Sequence, residues 1–384
     1  MLRAMHAYTT PRNRGSMPAA AAVFLTLFLL SGCAGLSDWR HGWMSAPPAP
    51  APSDRFALPP QGTDIVGQLQ VATARHEDTL ADIARRYDLG YDEIVAANPG
   101  VDPWLPREGT PVVLPTEFVL PSGVREGLVL NLASMRLFYY PKAEAGRPAE
   151  VITHPMGIGR EGWQTPVGRV YVSQKIVNPA WTVPASVRRE HARKGEPLPP
   201  IVPPGPDNPL GDYAMRLSSP SYLIHGTNKP WGVGQRVSHG CIRLYPEDIA
   251  RLFPAVPEGT PVRIINEPYL AGWRDGQLFL EAHPPLAEDR QRWNGSLKPM
   301  EQVLAAQTAR RPVEVSREKA EKIAREARGI PVPVTPGGAD LEALVAKAPR
   351  VTSTPPWAPP EYEKAEPDEG ERRTASTASP RPAN

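Results

Sequence analysis

The sequence predicts a mainly β, sandwich-type domain with a small βααβ unit on its N-terminal side. Three observations predict it. From Leu128 onward, short runs alternate apolar residues between Gly/Pro turns: Leu128, Leu130 and Leu132, then Leu137 and Tyr139. A period of two is the mark of a half-buried strand, and many such short strands suit a sandwich. Between residues 68 and 115, a helical-period pattern is bracketed by short strand-like runs. Prolines number 49 in 384 residues, well above the usual share of about 5%, so extended stretches should separate two or three compact units. The net charge of +2 leaves no basic footprint for nucleic acid.

Taken in order, Arg3, Arg12 and Arg14 precede an apolar run over residues 19–30. Twelve residues suit the core of a signal peptide and are too short to span a bilayer. The segment Leu30-Ser31-Gly32-Cys33 resembles a bacterial lipobox, which implies cleavage before Cys33 and lipidation of its thiol. Residues 1–32 are thus expected to be a lipoprotein signal peptide and residues 33–66 a Pro/Ala-rich, polyproline-like tether. In the unit at 67–116, Leu69 and Val71 mark a strand. Leu80, Ile83, Ala84 and Tyr87 mark a helix at i, i+3, i+4, i+7, and Asp92 is the expected cap of a second helix carrying Ile94 and Val95. Asn98-Pro99-Gly100 ends that helix, and Val112 to Leu114 form the closing strand.

Strands dominate from 125 to 266. Residues 141–148 form a hairpin turn, and Arg169 to Val172 form a further strand. Residues 178–213 are a long insertion with a helix over 186–193; insertions of this length tend to be lids. Tyr222-Leu223-Ile224 is a strand with His225 at its end, and Pro246-Glu247-Asp248 begins a helix. Residues 267–330 form a C-terminal extension, with a hairpin around Arg274-Asp275-Gly276 and a charged helix over 316–328. Residues 331–384 are predicted to be largely disordered, because Pro, Gly, Ser, Thr and Glu dominate them.

Chemistry concentrates in Ser238-His239-Gly240-Cys241-Ile242-Arg243-Leu244, with Ile224-His225-Gly226-Thr227 upstream. Cys241 is one of two cysteines in the chain. A thiol attacks as thiolate, and an imidazole nearby can take its proton. Gly240 lets a substrate carbonyl approach the backbone beside the sulfur. The pattern reads as a cysteine acyl-transfer site. A small buried cysteine is the ordinary alternative, and a zinc site of His225, His239 and Cys241 ranks below it for want of a fourth clustered ligand. Arg243 could grip a carboxylate with both prongs of its guanidinium, or pair structurally with an Asp or Glu. Trp231 and Tyr222 read as packing residues.

These two motifs resemble the signature of the L,D-transpeptidase (YkuD-like) catalytic domain. Gly157-Ile158-Gly159-Arg160, Thr165-Pro166-Val167-Gly168 and the loop 203–211 resemble further parts of that domain, so the likeness spans about 125–266. The βααβ unit resembles a LysM module, with His76-Glu77-Asp78 in place of the usual glycine turn. The resemblance implies a peptidoglycan enzyme without a metal or other cofactor, in which Cys241 attacks a tetrapeptide stem at its third residue and releases D-alanine. His225 accepts and returns the proton, and backbone N–H groups around Gly240 and Cys241 hold the oxyanion. His239 hydrogen-bonds or orients near the thiol, while Ser238, Gly226, Gly240 and Arg243 line the substrate. The acceptor is left open: a second stem's amine, the lysine of a wall-anchored lipoprotein, or water, which would make a carboxypeptidase or an anchor hydrolase. A non-catalytic, LysM-based peptidoglycan-binding scaffold is the alternative from another class. Lipidated Cys33 followed by Ala34 implies a periplasmic protein anchored to the outer membrane of a Gram-negative cell. The LysM unit is expected to act as a separable module whose removal spares turnover of a small soluble peptide.

Overall fold

The computed structural model describes residues 54–143, 146–219 and 221–352. The expected signal peptide, Cys33, most of the tether and the last 32 residues lie outside the described residues. Among the described residues, no helix is long and apolar enough to cross a membrane.

The chain enters through β1 (Arg55–Ala57) and β2 (Ile65–Gly67), inside the stretch expected to be a tether. Proline-rich composition concealed them. Phe56 packs edge-on against Phe118, with ring centroids 6.4 Å apart, and a three-residue edge strand tolerates flanking prolines. The βααβ unit follows as β3 (Gln70–Thr73), α1 (Leu80–Arg86), α2 (Tyr91–Ala97) and β4 (Pro111–Leu114). Thr79 caps α1 by a reciprocal box. Its hydroxyl accepts from Asp82 N–H at 3.2 Å, and the Asp82 carboxylate accepts from Thr79 N–H at 3.0 Å. Asp92 does not cap α2. Gly90 is the N-cap, and the Glu93 carboxylate accepts the Gly90 N–H at 2.9 Å.

After β5 (Glu117–Val119), which pairs with β2, the large sheet begins. Its strands are β6 (Gly127–Asn131), β7 (Arg136–Tyr140), β8 (Glu150–Pro155), β10 (Gly168–Val177), β13 (Tyr213–Leu217), β14 (Leu223–His225), β16 (Ile242–Arg243) and β17 (Pro261–Ile265), with β1 at one edge. The order is β1-β8-β7-β6-β17-β10-β13-β14-β16. A short strand, β9 (Ile158–Gly159), pairs in parallel with β15 (Arg236–Ser238), outside this sheet. The insertion carries β11 (Trp181–Thr182), α3 (Ala185–Arg193) and β12 (Ile201–Val202), with β11 and β12 paired antiparallel. Helix α4 (Pro246–Ala255) begins with proline and acids in its first turn, and buries Ile249 and Leu252 in the sheet's core.

The C-terminal region is more ordered than its composition predicts. Strands β18 (Tyr269–Arg274) and β19 (Gln277–Ala282) form the expected hairpin. Then come α5 (Ala287–Trp293), α6 (Lys298–Arg310), α7 (Arg317–Glu326), β20 (Val332–Pro333), α8 (Leu341–Lys347) and β21 (Arg350–Val351). The expected disorder from residue 331 is therefore corrected as far as Thr352. Residues 329–335 are buried throughout, β20 pairs with β19, and β21 pairs in parallel with β3. Only a few apolar residues carry this order, too few to outweigh the polar composition when read locally.

The βααβ unit is not a separable bead. Leu80, Ile83, Ala84, Leu89 and Ile94 share one core with Val129, Phe138, Tyr140 and Val151 of the large sheet. Leu69, Ala97 and Val113 face the other way, into a core with Trp273, Leu280, Met300 and Ile323. Arg136, fully buried on β7, reaches Glu93 with Nε at 3.0 Å and Nη2 at 2.7 Å, and donates to the Asp88 carbonyl at 2.9 Å. A shared core should unfold as one unit. We expect Ile83→Ala to cost about 2–5 kcal/mol and to lower the midpoint of a single denaturation transition reported by tryptophan fluorescence and far-UV dichroism alike. Two separated transitions, with the βααβ unit melting first, would contradict the shared core.

Candidate active site

Strands β14 and β16 run parallel, with Ile224 opposite Ile242 and His225 opposite Arg243. Side chains two apart on a strand share a face. This register therefore sets His225 and Arg243 toward one side of the sheet, with Cys241 immediately before β16. Gly157 fixes β16 from beyond, since its N–H donates to the Arg243 carbonyl at 2.8 Å and its carbonyl accepts from Arg243 N–H at 2.9 Å.

His225 is buried, and its Nδ1 lies 2.6 Å from the Gly226 carbonyl. A carbonyl oxygen only accepts, so Nδ1 carries the proton and Nε2 keeps the lone pair. Burial, together with the charge of Arg243, pushes the His225 pKa down to about 3, against weaker support for the cation from the Gly226 and Leu210 carbonyls. Burial pushes the Cys241 thiol up, only partly offset by the Leu223 N–H and the Arg243 cation. The sulfur lies 3.7 Å from the Ser221 carbonyl. Both shifts favour the neutral forms of thiol and imidazole.

The segment around the thiol is held by backbone and hydroxyl contacts. Ser238 Oγ donates to the Cys241 carbonyl at 2.6 Å and accepts the Gly240 N–H at 3.1 Å. The Gly240 N–H is thereby occupied. Thr165 Oγ1 donates to the Gly240 carbonyl at 2.9 Å and accepts the Gly159 N–H at 3.1 Å. Gly240 has φ +105°, and a Cβ there would lie 2.9 Å from Tyr222 Cε1. Tyr222 is thus a packing residue that covers Gly240. Trp231, also read as packing, is 63% exposed instead.

His239 faces the insertion. Its Nε2 lies 3.3 Å from Glu190 of α3 and 3.1 Å from Arg160 Nη2, and its ring meets Trp163 edge-on. Arg160 and Lys194 also pair with Glu190. Burial lowers the His239 pKa, while Glu190 opposes that shift. Sequence reasoning missed Glu190, since nothing local tells that a helix 49 residues upstream closes on His239. Asn208 was missed too. It is buried and donates to the Pro179 and Pro203 carbonyls at 2.7 and 3.0 Å, pinning the base of the insertion.

Arg243 has no carboxylate partner among the described residues, and its buried Nε has no hydrogen-bond partner there. The structural-pairing alternative therefore finds no acid to pair with. Nor do His225, His239 and Cys241 gather as metal ligands among the described residues. The one such cluster is Asp54, Asp88 and His154, with donor atoms within 4.8 Å of one another. There Arg251 supplies compensating charge, 3.3 Å from Asp54 and 2.7 Å from Asp248.

Comparison with known proteins agrees with this geometry. The YkuD family, described as the L,D-transpeptidase catalytic domain, matches residues 125–264, and the LysM domain family matches residues 73–115. The chain is 41% identical over 282 residues to "Probable L,D-transpeptidase YbiS" of Escherichia coli (strain K12), covering 72% of this chain and 90% of that one. It is 40% identical over 287 residues to "Probable L,D-transpeptidase ErfK/SrfK" of Salmonella typhimurium (strain LT2), covering 73% and 91%. To "Probable L,D-transpeptidase YcfS" of Escherichia coli (strain K12) it is 41% identical over 245 residues, covering 62% and 75%. Match and coverage together place this chain in the L,D-transpeptidase family, with a LysM domain ahead of its catalytic domain.

Proposed function

We propose that this chain is a peptidoglycan L,D-transpeptidase working through a Cys241 thioester. The observation that carries the reading is the β14–β16 register, which supports Cys241, His225 and Arg243 acting on one substrate from one face. A tetrapeptide stem presents its third-residue carbonyl to Cys241 Sγ. As the sulfur attacks, its proton passes to Nε2 of His225, the nitrogen left basic by the Nδ1–Gly226 hydrogen bond. The Cys241 N–H holds the developing oxyanion. Collapse breaks the amide bond, and His225 returns the proton to the departing amine of D-alanine. An acceptor amine then attacks the thioester, His225 takes its proton, and the thiol is regenerated as the new amide forms. Arg243, a half-buried cation without an acid partner among the described residues, is suited to a stem carboxylate. His239 acts one step back, orienting the thiol segment through Glu190 and Arg160.

The LysM domain supports glycan strands of the wall as the second contact, and the apparent lipobox at Cys33 supports a periplasmic protein anchored to a membrane by lipid. Each buried CH₂ of a lipid chain adds about 0.8 kcal/mol to membrane affinity. Cys33→Ala should therefore move the protein from the membrane fraction to the soluble fraction of fractionated cells. Equal membrane association of both forms would refute lipidation.

The nucleophile assignment is tested by turnover. Cys241→Ser and His225→Ala should each lose release of D-alanine from a soluble tetrapeptide by at least 100-fold, with melting temperatures near wild type. Muropeptides from cells lacking the protein should lose the amine-transfer product. Full turnover by Cys241→Ser would discard the thiol mechanism and favour the binding scaffold.

The pH profile separates a neutral pair from a standing ion pair. A raised thiol pKa means less thiolate at pH 7 than in a free cysteine, and more as pH climbs. Iodoacetamide alkylation of Cys241 should rise through the alkaline range without a plateau at neutral pH. A rate already flat between pH 6 and 8 would indicate a thiolate–imidazolium pair instead.

A further inference from the structure

The crossover between His225 and Cys241 spans residues 226–241 and contains only one short helical turn, Pro230–Gly232. Its middle leans on the LysM domain. The carbonyls of Val233 and Gly234 accept the N–H groups of Tyr91 and Asp92 at 3.3 and 3.1 Å. These are the first-turn donors of α2, whose N-cap, Gly90, has no side chain to offer. The catalytic crossover thus provides the missing cap. The two backbones touch directly. A Cβ on Gly90 would lie 2.8 Å from Gly234 Cα, and one on Gly234, where φ is +74°, would lie 2.2 Å from Gly90 Cα.

The same turn of the LysM domain holds the chain beyond the thiol. The Tyr245 hydroxyl donates to the Leu89 carbonyl at 3.1 Å, and Arg85 grips Glu247 with two bonds of 2.9 and 3.0 Å. Residues 85–92 therefore bracket the Cys241 segment, before it at 233–234 and after it at 245–247. Between the brackets, Gln235 and Ser238 pair with β9, the Gln235 carbonyl accepting from Ile158 N–H at 3.0 Å and the Ser238 carbonyl from Arg160 N–H at 3.0 Å. A shift at Gly234 passes directly into this ladder at Gln235 and on to His239, Gly240 and Cys241.

We infer that the LysM domain is a positioning element of the catalytic centre, acting through the Gly90–Gly234 contact and the Tyr245–Leu89 bond, in addition to any glycan it binds. The inference rests on the reading of Cys241 as nucleophile. Glycan binding alone would require neither two backbones in contact nor attachments on both flanks of the thiol. Gly90 and Gly234 are positioning residues, since they reach the thiol only through the crossover.

The test uses the full chain. Gly90 has φ −82° and ψ 156°, which alanine adopts freely, so Gly90→Ala strains nothing but the interdomain contact. Misplacement of reacting groups by about 1 Å costs on the order of 100-fold in rate. Gly90→Ala should lower kcat for a soluble tetrapeptide carrying no glycan by about 10–100-fold, with KM changed much less. It should also alter the rate and pH profile of Cys241 alkylation by iodoacetamide, while binding to purified sacculi stays at the wild-type level. Tyr245→Phe, which adds no volume, should fold normally and give a smaller loss of kcat in the same direction. Wild-type kcat and wild-type alkylation in both folded variants would overturn the inference. The alkylation readout keeps the two claims apart. If the wild type does not process the tetrapeptide yet Gly90→Ala changes Cys241 alkylation, the positioning role stands and the proposed activity falls.

Discussion

The parallel pairing of β14 with β16 is the constraint on which the rest depends. It places His225 opposite Arg243 on one face, with Cys241 immediately before β16. Parallel neighbours cannot be joined by a tight turn; they need a crossover of a dozen residues or more, usually an α-helix. Here the crossover is nearly without helix, so its order is borrowed. Strand β9 binds one stretch of it, Arg236 reaches Glu288 of the C-terminal region at 3.0 Å, and α2 takes its Val233 and Gly234 carbonyls. The LysM domain and the C-terminal helices are thus built into the support of the site.

Electrostatics follows from the same burial. Burial pushes the Cys241 thiol up and the His225 imidazole down, so both groups favour their neutral forms. Between the LysM and catalytic domains lies a second buried set with the opposite character. Burial would raise Asp88, yet the charge and hydrogen bond of His154 and the nearby Arg136 hold its carboxyl low. Asp248 is pushed well up by burial and by the charge of Asp88 beside it. The two shifts run in opposite directions, as coupling between adjacent buried carboxyls requires.

What the sequence made legible was local. Period-two runs located the strands, Leu80, Ile83 and Ala84 located α1, and the motif around Cys241 located the thiol and its histidine. What it concealed was long-range. The Asp92 side chain looked like a cap because Asp is a good one, but the donors of α2 were met by carbonyls 142 residues away in the chain, at Val233 and Gly234. Glu190 gave no sign that it would meet His239. The strands at Arg55–Ala57 and Val332–Pro333 were hidden because two or three residues between prolines carry too little pattern to outweigh composition. The independence expected of the βααβ unit failed for a related reason. A helix's apolar stripe announces that it will be buried, but not against what, and here Ile83 and Ile94 found Phe138 and Tyr140 of the catalytic sheet.

Direct capture of the covalent intermediate tests the central claim most sharply. A tetrapeptide donor with isotopic label in its first three residues is mixed with the enzyme, quenched in acid within milliseconds to seconds, and analysed by intact-protein and peptide mass spectrometry. The account predicts an adduct equal to the donor minus D-alanine, carried on Cys241, released by hydroxylamine as expected for a thioester, and formed no slower than turnover. Turnover of the donor with no label on Cys241, or with label on another residue, would contradict it.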